Sequence, residues 1–232
     1  MTWGGFDGQP AISNGDMFVK VLDSSGSNVW TTIFGSPKID AGHRLVVDSA
    51  SNVYVTGYAA TNFGGSTTFV TKKDLCLAKL SPGGNLLWAR VWGSFEDDYG
   101  HGVAISDTNV YVAGYAYGSV DSQGFAGTTD IVLSKFGDDG TKQWTRMWGD
   151  GLTQKGHDVA VDGQGNAYVA GFGGDFDGVL GVGSTDAFII KVDSSGVDQW
   201  TDIWGSTQGD YCYGIAMGLD GKLYTTGHAP TY

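Results

Sequence analysis

The chain has 232 residues, a formal net charge of −12 and a pI near 4.4, with 39 glycines alongside 8 Trp, 11 Tyr and 11 Phe. Such acidity excludes the counterion-releasing contacts made by nucleic-acid and anionic-membrane binders, which need clustered Lys and Arg. So many aromatics exclude low-complexity disorder, and no apolar run approaches the roughly 20 residues that span a bilayer.

From the start of the chain, Met1, Thr2 and Trp3 lack the basic and apolar regions of a signal peptide. That leaves a route of export needing none, a leader already removed, or no export. A phrase then opens at Asp16 and returns at Asp74, Asp130 and Asp186, marked by Trp30, Trp88, Trp144 and Trp200 at spacings of 58, 56 and 56. A fixed period of this size is the signature of a repeat architecture, in which each unit buries its faces against its neighbours. One domain of four units over 1–232 is expected. In the third unit, strand-like words fall at 131–136, 143–148, 157–161 and 167–171, joined by Gly, Asp, Ser and Asn as tight hairpins require. Four antiparallel strands in about 56 residues make a propeller blade. The fold class is therefore all-β: a β-propeller of four blades with four strands each.

The words DAFIIKVDSSG (186–196), W-T-x-I-W-G (200–205) and G-x-G-N-A-Y-V-A-G (163–171) resemble the bacterial β-propeller repeat called the seven-bladed propeller repeat. The likeness extends over residues 3–228. It implies that G-H-D-V-A-V-D is the innermost strand of a blade and W-T-x-x-W-G the outermost. On that order the N-terminal pair (18–22 and 29–34) should complete a blade with the C-terminal pair (215–217 and 223–227), removing exposed edges. A four-bladed ring leaves no orphan half-blade and is the expectation. Two chains exchanging half-blades in an eight-bladed ring, or a piece of a longer array, are the alternatives.

Thirteen residues after each marker Trp stand His43, His101, His157 and Tyr213, preceded three residues earlier by Asp40, Asp98, Gln154 and Asp210. Three imidazoles and a phenol at equivalent places are expected around the mouth of a channel. With carboxylates beside them they would suit zinc or another transition metal, a polar small ligand, or hydrogen bonds between blades; the family resemblance, whose repeats commonly carry Tyr here, favours packing. Asp7, Asp121 and Asp177 each precede a repeat-opening Asp by nine residues, and Asp175 adds a further carboxylate. Alternating oxygens suit calcium or another divalent cation, although Asp-Gly is also an ordinary turn pair. Tyr115, Tyr117 and Phe172, with Tyr58 as the first unit's counterpart, are expected near the loops as glycan-stacking residues. The paired tryptophans should instead fill the space between blades. The lysines Lys20, Lys79, Lys135 and Lys191 read as structural ion pairs or a solvated edge, and Cys76 and Cys212 as buried free thiols.

No G-x-S-x-G, H-E-x-x-H or phosphate-binding loop is present. The expectation is thus a non-catalytic scaffold, not an enzyme, recognising glycan or protein outside the cell or on a cell or virion surface. A structural assembly module with self-association is the second reading and a metal-dependent enzyme the third.

Overall fold

The computed structural model describes residues 6–66 and 72–230. Its first hairpin joins β1 (Met17–Leu22) to β2 (Asn28–Phe34). Three four-stranded antiparallel sheets follow in chain order. They comprise β3 (Ala41–Val47) to β6 (Leu86–Trp92) through β4 (Val53–Ala59) and β5 (Asp74–Leu80), and then β7 (Asp98–Ser106) to β10 (Lys142–Trp148) through β8 (Asn109–Ala116) and β9 (Asp130–Gly137). The last comprises β11 (Lys155–Val161) to β14 (Asp198–Trp204) through β12 (Ala167–Gly173) and β13 (Asp186–Val192). A final hairpin, β15 (Tyr211–Met217) with β16 (Leu223–His228), ends the series. The all-β propeller architecture expected from the repeat is what the chain adopts.

Local chemistry sets the hairpins. In the turn between β11 and β12, Asp162 Oδ1 accepts the amides of Gln164 and Asn166, and Gly165 takes φ +78°. The carboxylate thereby imitates a backbone acceptor while glycine supplies the left-handed residue. Asp193 does the same for Ser195 and Val197 ahead of β14.

Burial follows position within the blade. Strands β5, β9 and β13, flanked by strands on both sides and by blades on both faces, are almost wholly buried. Trp30, Trp88 and Trp144 lie between blades, whereas Trp200 is exposed: Trp144 meets Tyr111 edge-on at 6.0 Å and donates to the Ser194 carbonyl of the next blade. Trp92 donates to Ser134 and Trp148 to Asp198 across the same kind of seam. Lys79 and Lys135 lie over the rings of Tyr54 and Tyr111 and donate to the Asp138 and Ser194 carbonyls of the following blade. Instead of ion pairs, they are ties between blades. Lys20 differs, standing opposite Thr31 where Val21 takes the place opposite Trp30, and it pairs with Asp7.

The inner strands pack in sequence, β3 on β7, β7 on β11 and β11 on β15. The terminal halves are the ones expected, outer strands at one end and inner strands at the other. They remain separate two-stranded sheets, however, so β16 and β1 do not pair within the chain. Exposure of β3 and β16 along nearly their whole lengths is the consequence.

Candidate active site on the propeller axis

Each inner strand carries a β-bulge at its suggestive residue. The pairing of β3 with β4 steps from Gly42 to Arg44, and the equivalent ladders skip His101, His157 and Tyr213 in the same way. A bulge leaves one residue outside the ladder and re-aims its side chain. The bulge requires a glycine opposite: a Cβ on Gly114 would sit 2.0 Å from the Tyr99 carbonyl oxygen, and one on Gly171 2.0 Å from that of Lys155. The final glycine of Y-V-A-G therefore makes room for the bulge that presents the axial side chain.

The four side chains form one chain of ring contacts. His43 stacks on His101 with centroids 4.6 Å apart, His157 lies tilted to His101 at 5.0 Å, and Tyr213 meets His157 edge-on at 5.4 Å. Tyr115 stacks on His101 at 5.2 Å and Phe172 on His157 at 5.1 Å, while Tyr58 meets His43 edge-on at 5.7 Å. These second-strand aromatics belong to the axial cluster. Tyr117 alone of the proposed glycan-stacking residues keeps a more exposed place, against Tyr99 and Tyr115.

Electrostatics keeps the inner imidazoles neutral. Burial, reinforced by His43 and His157, pushes His101 down to about 3, and burial with the nearby Lys155 takes His157 to about 4. Burial lowers Lys155 from the usual lysine range, with its ammonium 4.4 Å above the Tyr115 ring. The phenols of Tyr99 and Tyr115 are raised to about 12, chiefly by burial, and stay protonated as donors. His43 Nδ1 lies 2.7 Å from the Gly100 carbonyl oxygen. A carbonyl can only accept, so Nδ1 carries the hydrogen, and in the neutral ring the lone pair is on Nε2. The Nε2 of His101 is buried and has no hydrogen-bond partner. An unsatisfied nitrogen of this kind costs about 1–3 kcal/mol.

The carboxylates three residues upstream serve turns, not imidazoles. Asp40 and Asp98 accept from the amide and hydroxyl of Ser36 and Ser94, and from the amides of Ala60 and Tyr117; Asp210 accepts from both groups of Ser206. Their place in a buried S-x-x-x-D turn aims them back at their own backbone. Asp7, Asp121 and Asp177 adopt φ between 50° and 54°, and each accepts a hydroxyl of an outer strand: Thr31, Thr145 and Thr201. Asp175 accepts from the Gly181 amide. Turn-building and strand anchoring thus occupy these side chains. Among the described residues no group of three or more His, Cys, Asp or Glu is placed to hold a metal ion.

Sequence reasoning missed Arg44, Lys155 and Asp158. Arg44 reaches past Gly102 to Asp158 at 3.2 Å, and Asp158 also accepts from the Ile215 amide. The signal for Arg44 and Asp158 was available in the residue after each axial side chain, which reads Arg44, Gly102, Asp158 and Gly214. Charged groups alternate there with glycines that let them meet.

Comparison with known proteins bears on this geometry. A gluconolactonase from Xanthomonas campestris is similar in structure, with a TM-score of 0.50 at 16% identity, over 90% of this chain and 61% of its own. This chain thus spans less than two thirds of that protein, and the likeness is one of fold. It nonetheless overturns the expectation of a non-catalytic scaffold, and with it the answer that the chain is no enzyme. That expectation treated the propeller as a surface for binding or assembly, whereas the similar propeller is named for a catalytic activity. No curated protein matches the chain. Residues 29–64 match a family model described as a beta-propeller repeat, in agreement with the resemblance read from the sequence.

Proposed function

We propose that the axial cluster is the active site of a hydrolase acting on a small polyhydroxylated lactone. The observation that carries this reading is the fixed tautomer of His43, whose Nδ1–H is held by the Gly100 carbonyl while Nε2 remains a base on an exposed strand. A base within reach of water is the first requirement of ester hydrolysis. Nε2 takes a proton from water, the hydroxyl adds to the lactone carbonyl, and the ring C–O bond breaks as the proton passes to the departing oxygen. Lys155 and Arg44, the cations acting electrostatically on His101, supply positive charge for the oxyanion. Tyr117, the more exposed aromatic beside Tyr99 and Tyr115, offers its ring to the apolar face of a sugar. The activity named for the similar Xanthomonas protein supports the choice of a lactone.

The test is hydrolysis of glucono-1,5-lactone followed with a pH indicator against spontaneous opening. The wild-type chain should accelerate it, and His43→Gln should lose about 100-fold or more of that acceleration. Lys72→Ala, far along the chain in an exposed pair with Glu96, should leave it unchanged. A wild-type rate equal to buffer, or a fully active His43→Gln, would sink the proposal.

A further inference from the structure

The two ends of the blade series lack complementary parts. Trp30, Trp88 and Trp144 each pack on the turn glycine of the next repeat, where a Cβ on Gly84, Gly140 or Gly196 would come within 2.8, 3.0 and 3.1 Å of the indole. The fourth member of each set is vacant. Gly26 has nothing within 4 Å, and Trp200 is 42% exposed. Lys191 shows the same loss: Lys79 and Lys135 donate to the following turn, whereas Lys191 holds only against the ring of Tyr168.

Two further vacancies fit the same halves. Beside β1 and β3 lies a groove of about 590 Å³ lined by Met17, Val19, His43, Leu45 and Val55. It occupies the place that the inner strands β4 and β3 of a complete blade take against β7. At the opposite end, a hollow of about 240 Å³ lies among Ala187, Trp204, Cys212 and Gly227, where outer strands would continue the sheet from β16. Exposed Phe18, Leu45, Val47 and Tyr224 line the two ends. An edge strand that is free and apolar is a template for pairing.

We infer that the occupant of both vacancies is a second copy of this chain, each copy's β15–β16 completing a blade with the partner's β1–β2 in a closed eight-bladed ring. Register supports the exchange. Met17 aligns with Ala187 through their outer-strand partners Phe34 and Trp204, and Leu223 aligns with Ala167 through Met217 and Val161. Carrying over the β12–β13 ladder puts Leu223 opposite the partner's Leu22, Thr225 opposite the partner's Lys20 and Gly227 opposite the partner's Phe18. Trp200 then packs on the partner's Gly26. The two end hairpins stay separate sheets, and a copy related by a twofold axis closes both seams at once. Closure also brings the partner's Tyr213 beside His43, completing the axial stack. The inference rests on packing and register, and its test reads mass and cross-linking, so its outcome is distinguishable from that of the lactone assay.

Light scattering of the full chain tests it directly. Twice the chain mass of 24.4 kDa is expected at micromolar concentration, with Trp200→Asp shifting the population to monomer. A double variant, Lys20→Cys with Thr225→Cys, should oxidise to a disulfide-linked dimer on a non-reducing gel, and neither single variant should. The native thiols of Cys76 and Cys212 are buried. A monomeric mass up to millimolar concentration, a cross-linked product of monomer size, or a mass of three or more chains would each overturn the inference.

Discussion

One residue of the repeat, met in four places, separates the middle of the molecule from its end. Tyr54, Tyr111 and Tyr168 are 1%, 0% and 7% exposed, while Tyr224 at the same register is 56% exposed. The first three lie edge-on or tilted to Trp88, Trp144 and Trp200, and Tyr111 donates to the Gly165 carbonyl of the next blade. Tyr224 bonds only within its own turn, to Asp220. The same word thus builds a core where a blade follows it and a surface where none does. The strength of a position comes from the neighbouring blade, as expected of architectures stabilised by repeat interfaces.

The largest effect expected from this contrast is in stability. Tyr111→Ala should cost about 3–5 kcal/mol by chemical denaturation, as for other large aromatics lost from a packed interior. Tyr224→Ala, measured on dilute monomer, should cost less than about 1 kcal/mol. Equal losses at the two sites would mean that the terminal hairpin is as well covered as the middle blade, and the contrast would fail.

The axial stack yields the next effect, through pH. Both His101 and His157 are depressed in the fold, to about 3 and about 4, from an unfolded value near 6.5. A base with a lowered folded pKa contributes its full stability above the unfolded value and loses it as pH falls through the folded one. Thermal stability should therefore decline between about pH 6.5 and pH 3 in proportion to these two rings. His157→Phe, which keeps the stacking face toward Phe172 and Tyr213, should flatten that decline. A slope identical to wild type would show that the imidazoles are not shielded from water.

The fold was legible because its signal is repetitive: four copies of a strand pattern with Gly and Asp at the joints leave few architectures. The order of strands within a blade was what the resemblance to the propeller repeat implied, and the histidine ring followed from the spacing of Trp and His. What the spacing concealed was the direction of side chains. Asp98 and His101 are three residues apart, yet the bulge at His101 turns it out of the ladder while Asp98 folds onto Ser94. Tyr115, expected near a loop, is drawn onto His101 because Gly114 lets the two backbones approach. Closure was misjudged for a related reason. Sequence reveals that β16 and β1 are complementary halves, but whether they pair depends on how successive inner strands pack, β3 on β7, β7 on β11 and β11 on β15.

The smallest expected effect turns on a natural substitution inside the repeat. Asp74 and Asp98 converge beneath Gly93, where a Cβ would come within 2.8 Å of an oxygen of Asp74 and closer still to one of Asp98. Burial, with Asp98 and Asp97 adding like charge, raises Asp74 to about 8, and burial takes Asp98 to about 6. A carboxyl raised in the fold contributes stability that is complete below its unfolded value near 3.8 and is lost as pH rises through its folded value. Asp74→Asn removes that titration and offers Asp98 an amide donor. It should thus raise the melting temperature by about 2–4 °C at pH 8 for each kcal/mol recovered, with the gain fading toward pH 4. In the third repeat Gln154 takes the sequence place of that second carboxylate, and its side-chain amide donates to Asp150. Gln154→Asp should therefore act in reverse, lowering the melting temperature most at high pH. If both variants shifted equally at pH 4 and pH 8, the buried charge would not be the cause, and the two repeats would differ only in packing.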